Sequence, residues 1–270
     1  MLEFLREYSY TILALLGLIA AFAVYFRLGK LRDVSWKQLA SCGVFALAGL
    51  LIGSHLLFFI VGLPDWIAFY SGNIHSVADL LTAIGYGASG LVFYGGLLGA
   101  YAGVLIFCKT YKLYTYAELN HFTVIVPLFH AFGRIGCTLN GCCYGVEYHG
   151  PLSIAYTPAY INPGISDDIA DFTRFPVQPL EAVIELLIFV LLLILYIKKR
   201  DRYSLTCIYL LVYSVVRFFD EFLRGDTARK VWGPFSTSQW ISLIIFVSVM
   251  IYLIVRKVRE PGRTFFAGRA

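Results

Sequence analysis

The sequence predicts an all-α integral membrane protein with seven transmembrane helices, the N-terminus outside, the C-terminus cytoplasmic and external interfacial segments. Three observations carry this. The 270-residue chain is 59% hydrophobic and only 14% charged, whereas about a quarter of a soluble domain is charged. The apolar residues gather in runs that suit a hydrocarbon core of about 30 Å, which takes about 20 residues of helix. Lysine and arginine collect on one side of those runs.

Spans are expected near 8–26, 38–63, 88–108, 119–140, 179–197, 203–223 and 239–255. The first run, Tyr8 to Phe26, lacks a preceding basic stretch and a small-residue cleavage site, so it reads as a retained helix rather than a targeting segment. With no internal repeat or low-complexity linker, residues 1–270 read as one polytopic domain. Fifteen of the 22 lysines and arginines fall in the connections of one side, five on the other, and Arg134 and Arg217 lie inside spans. The positive-inside bias assigns the fifteen to the cytoplasm. The net charge of +5 therefore reflects topology and contact with the bilayer surface, not nucleic acid. Two external connections are long, about 64–87 and 141–178. The first is aromatic and partly amphipathic, which suits the interface.

A buried arginine costs about 2.5 kcal/mol or more and usually marks function. Counted along their helices at about 1.5 Å per residue, Arg134 and Arg217 reach similar depths in the outer half of the membrane. In "RFFDEFLR", Glu221 and Arg224 lie four and seven residues after Arg217, so the three share a helix face. Glu221 reads either as a partner that holds Arg217 or as a catalytic group. With one carboxylate in view, the two arginines are expected to leave positive charge over. A guanidinium fork suits phosphate oxygens, and at that depth the anion is a lipid headgroup. Glycines at 95, 96, 99 and 103 allow close helix packing and thin walls for a lipid cleft.

"GRIGCTLNGCCYG", from Gly133 to Gly145, resembles the signature of the bacterial prolipoprotein diacylglyceryl transferases. It agrees at Gly133, Arg134, Gly136, Asn140 and Gly145, and departs at Cys137, Thr138 and Cys142. Tyr94-Gly95-Gly96 is similar to the family's His-Gly-Gly, with tyrosine in place of histidine. "RFPVQPLEA", which contains Gln178, and "YSVVRFFDEFLRGD" resemble two further family elements, as does "STSQWIS". His55 stands where the family leads one to expect arginine. The resemblance implies a multi-pass enzyme of the bacterial cytoplasmic membrane, using no metal or soluble cofactor. Its reaction would move the diacylglyceryl group of phosphatidylglycerol to the lipobox cysteine of a preprolipoprotein and release glycerol phosphate. The alternatives are a paralogue with another lipid or acceptor, and an anionic-lipid transporter or flippase.

That chemistry suits the residues. Cleaving carbon–oxygen at a phosphodiester leaves a phosphate monoester, whose growing charge needs fixed positive partners; Arg134 and Arg217 are the candidates. Asn140 reads as a donor to glycerol or phosphate, or as a helix C-cap. Candidates for the base that takes the thiol proton are Tyr94, His130, His55, Tyr10 and Glu221. Tyr94 holds the position of the family's histidine, but tyrosine titrates near ~10 and is a poor base at neutral pH; His130, one turn before Arg134, is the second choice. For Cys137, Cys142 and Cys143, packing, a disulfide, a metal site and a thiol intermediate stay open. Packing is preferred, and no metal is assigned because no C-x-x-C pair occurs.

Overall fold

The computed structural model describes residues 8–70, 76–87, 90–156, 172–198, 204–226 and 231–260. The helices are α1 (Ser9–Leu31), α2 (Trp36–Tyr70), α3 (Val77–Gly87), α4 (Phe93–Tyr111), α5 (Thr115–Asn140), α6 (Val177–Ile197), α7 (Leu205–Asp220) and α8 (Thr237–Arg259). A 3-10 turn, Glu221–Leu223, extends α7. Two short hairpins complete the described elements: β1 (Ile154–Tyr156) pairs antiparallel with β2 (Phe172–Arg174), and β3 (Val231–Trp232) with β4 (Phe235–Ser236). Among the described residues, six helices, α1, α2, α4, α5, α6 and α8, are long and apolar enough to cross a membrane. The span expected at 203–223 holds α7, which is 16 residues long.

The segments expected to be external are more ordered than a loop reading implies. α2 continues through Pro64 to Tyr70, and α3 begins at an N-cap in which Ser76 Oγ accepts from Asp79 N at 3.1 Å. In the other segment, β1 pairs with β2; residues 157–171, including most of "SDDIADFTRF", lie outside the described residues.

The chain forms two compact units, one of residues 1–28 and 120–270 and one of residues 29–119. In the second, α2 and α4 meet glycine to glycine. A Cβ on Gly99 would lie 2.1 Å from the Gly49 carbonyl oxygen, and one on Gly95 would lie 2.2 Å from that of Gly53. The glycine series of α4 is thus a backbone-to-backbone seam.

In the first unit, α5 carries the polar core. At one end Asn120 Oδ1 accepts from Leu205 N at 2.9 Å, Thr123 meets Thr206 at 2.9 Å and His121 reaches the Tyr25 carbonyl at 2.9 Å. Towards the other end, Gly136 admits α1, since a Cβ there would stand 3.3 Å from Tyr10 Cα and Leu13 Cβ. α8 is launched by a capping box between Ser236 and Gln239, and the Gln239 amide donates to the Phe218 carbonyl of α7 at 3.2 Å.

Candidate active site

Three helices of the first unit, α5, α6 and α7, meet at one carboxylate. Glu181, on the first turns of α6, is 1% exposed. Its Oε2 is paired with Arg134 of α5 and lies 3.9 Å from Arg217 Nη1 of α7. The two arginines thus flank the same oxygen. Arg217 also meets Asp220 at 3.2 Å, Glu221 at 2.8 Å and Ser238 Oγ of α8 at 3.4 Å. Arg224 reaches Glu221 at 4.0 Å and makes a fork on Asp226, with contacts of 2.8 and 2.6 Å.

His130 lies one turn before Arg134 on α5. Its Nδ1 is 3.2 Å from Glu185 Oε1 and its Nε2 is 3.5 Å from Glu181 Oε1. The Tyr213 ring stands edge-on to the imidazole at 5.3 Å, and Tyr209 stacks on Tyr213. Glu181 and Glu185 are four residues apart and share a helix face, so one helix supplies both carboxylates. All these groups are buried. A buried charge persists only when paired, which the mutual arrangement provides.

The expected surplus of positive charge is not what the structure holds. The expectation rested on Glu221 alone, whereas Glu181, Glu185 and Asp220 join it around Arg134 and Arg217. The arginines are held by carboxylates. Arg134 nevertheless keeps a buried Nε–H with no hydrogen-bond partner. On the neighbouring face of the helix, a Cβ on Gly133 would meet nothing within 4 Å, so the space there is open.

The turn after Arg134 follows from its sequence. Gly141 adopts φ 76°, the left-handed conformation that glycine takes without penalty. Gly141 N donates to the Thr138 carbonyl at 3.3 Å and Cys142 N to that of Cys137 at 3.2 Å, the two bonds of a Schellman motif. Asn140 is therefore the last helical residue, and its amide also reaches the Cys142 sulfur. Gln178 is wholly buried, donating to the Cys142 carbonyl at 2.8 Å and to the Tyr156 hydroxyl at 2.7 Å. A Cβ on Gly145 would lie 2.3 Å from the Phe175 carbonyl. Gln178 and Gly145 thus build the turn's support. Tyr10, 42% exposed, lies beside Gly136.

Tyr94, Gly95, Gly96 and His55 belong to the second unit. Tyr94 is buried and His55 is partly exposed. Gly95 is used by the glycine seam, and a Cβ on Gly96 would meet Ser54 Oγ at 2.5 Å.

Fold and site together define a polytopic helical membrane protein with a buried arginine–carboxylate cluster under a polar turn. The chain belongs to the prolipoprotein diacylglyceryl transferase family, whose profile matches residues 2–255. It is 27% identical over 263 residues to a phosphatidylglycerol–prolipoprotein diacylglyceryl transferase 2 of Clostridium perfringens, covering 96% of this chain and 95% of the relative. A Clostridium tetani phosphatidylglycerol–prolipoprotein diacylglyceryl transferase is 28% identical over 93% of this chain and 94% of its own length. One from Campylobacter jejuni is 27% identical over 93% and 88%.

Proposed function

We propose that this chain transfers the diacylglyceryl group of phosphatidylglycerol to the lipobox cysteine thiol of a preprolipoprotein, at the outer leaflet of the bacterial cytoplasmic membrane. The observation that carries the site assignment is the convergence of Arg134 and Arg217 on Glu181. A seven-span topology with the N-terminus outside puts this cluster towards the outer side. The lipobox cysteine sulfur attacks the glycerol carbon that bears the phosphate. The carbon–oxygen bond breaks, a thioether forms, and the phosphate monoester leaves with the glycerol. The thiol proton passes to a base and on to the leaving group.

In this reading Glu181 sets the two guanidiniums at a fixed spacing, so that no reorganisation is needed as charge grows on the phosphate. Arg134 and Arg217 stabilise the negative charge that grows on the phosphate. His130 takes the thiol proton. A Glu185 carboxylate accepting from Nδ1–H leaves Nε2 as the lone-pair nitrogen. Glu221 and Asp220 position Arg217, while Asn140 closes the helix end facing the glycerol. Tyr10 lines the lipid path in this reading, and Arg224 adds charge at the outer end.

The experiment combines purified protein in phosphatidylglycerol vesicles with a lipobox peptide and follows the peptide by mass spectrometry. A diacylglyceryl mass increase on the cysteine is expected. A folded protein that leaves the peptide unmodified while transferring lipid between leaflets would overturn the reading.

A further inference from the structure

The outer turn gathers three cysteines with a geometry the transfer reaction does not call for. Cys137, Cys142 and Cys143 place their sulfurs all within 4.8 Å of one another. Cys137 is buried on the last turn of α5, while Cys142 and Cys143 are partly exposed. The backbone that brings them together is pinned at several points. The Schellman bonds fold Cys142 back over Cys137, Gln178 holds the Cys142 carbonyl, and Gly225 N donates to the Tyr144 carbonyl at 3.0 Å just beyond. Cys143 is held at φ 57°, which turns it away from the path of a regular helix.

We propose that Cys137, Cys142 and Cys143 form a three-thiolate site for a soft monovalent metal cation of the copper(I) class. Thiolates select soft cations over hard ones. Metal–sulfur bonds of about 2.3 Å in a trigonal plane put the sulfurs about 4 Å apart, so the widest pair closes by less than about 1 Å. Zinc asks for four ligands in its structural sites. Among the described residues, no imidazole or carboxylate joins the three sulfurs within that radius, and His149 is engaged with Glu147 and Thr173. Three sulfurs without a fourth protein ligand fit trigonal copper(I). The surplus negative charge of three thiolates and one monovalent cation faces Arg134, whose Nη1 is 4.0 Å from Cys137 Sγ. Each ligating thiol releases its proton to solvent on binding. The partial exposure of Cys142 and Cys143 supplies the way in.

The test is an anaerobic titration of the reduced full-length protein in detergent with copper(I), against a chromophoric copper(I) chelator, with thermal unfolding followed in parallel. One equivalent of copper(I) should bind and raise the unfolding temperature. Cys142→Ser and Cys143→Ser should each weaken binding by more than about 100-fold, the upper end of what loss of an outer-shell partner costs a metal site, and should abolish the temperature shift. These two thiols are partly exposed, and serine is nearly isosteric, so both variants test ligation rather than folding. Binding that persists in both variants would place the metal on other cysteines and overturn the proposal. So would zinc(II) binding without copper(I) binding.

Discussion

Arg217 is the residue where geometry and charge separate most cleanly. Its fork spans Asp220, Glu221 and Ser238 while one nitrogen faces Glu181. Lysine keeps the charge but offers a point donor in place of that fork. Arg217→Lys should lower transfer to the lipobox peptide by about 100-fold or more, the scale of losing one fixed electrostatic donor, with the protein still folded in the membrane. Wild-type activity in that variant would reduce Arg217 to a source of positive potential. Glu181→Gln is expected to be more damaging to the fold, by about 3–5 kcal/mol, because it leaves two buried guanidiniums short of a partner; its unfolding midpoint in detergent measures this. At the turn, hydrogen bonds from Cys137 and Cys142, with Arg224 and Arg134 nearby, hold the Cys143 thiol well below the ordinary range despite its partial burial. A hydrogen bond with Cys137 lowers the Cys142 thiol too, yet its bond to Cys143 and burial push that thiol up to about 11. A depressed value keeps the anion as pH falls, and the thiolate is the nucleophile. Near neutral pH, iodoacetamide should therefore label Cys143 ahead of Cys142, as peptide mapping would show. Equal labelling would contradict the assignment.

The helices separate roles that look alike in the sequence. Arg134, Arg217 and Glu221 were legible because a charge inside an apolar run stands out. Glu181 and Glu185 were not, although Glu181 sits in a recognisable element. They lie at the start of an apolar helix, where a carboxylate also passes for an interfacial residue, and only the packing of α6 against α5 and α7 brings them to the arginines. The error about surplus charge has the same origin, since partners from other helices have no signature in the local spacing. Glycines divide similarly. Gly99 is locked against the Gly49 backbone, whereas Gly133 faces open space. Gly99→Ala should destabilise by about 1–3 kcal/mol, the scale of overpacking a tight contact, while Gly133→Ala should leave the unfolding temperature almost unchanged and lower activity. The reverse pattern in thermal unfolding would contradict the seam. On the turn after α5, Cys142→Ser and Cys143→Ser should retain a substantial part of the transfer activity, since neither thiol has a role in carbon–oxygen cleavage.

At the scale of the whole molecule, composition alone conveyed the helical membrane class, because runs of about 20 apolar residues have few other uses. Helix ends were less legible: α2 runs on through Pro64, and α7 stops at a length that hydropathy in the surrounding run does not reveal. The central claim is that Arg134 and Arg217, held around Glu181, seat the phosphate of phosphatidylglycerol. The most direct measurement is the thermal unfolding of the wild type, Arg134→Ala and Arg217→Ala with increasing phosphatidylglycerol in a neutral detergent, with phosphatidylcholine as the control lipid. Binding to the folded state alone raises the midpoint by mass action. The account predicts a rise for the wild type with phosphatidylglycerol that exceeds the phosphatidylcholine response and shrinks strongly in both variants. An undiminished rise in either variant, or an equal response to both lipids in the wild type, would contradict it.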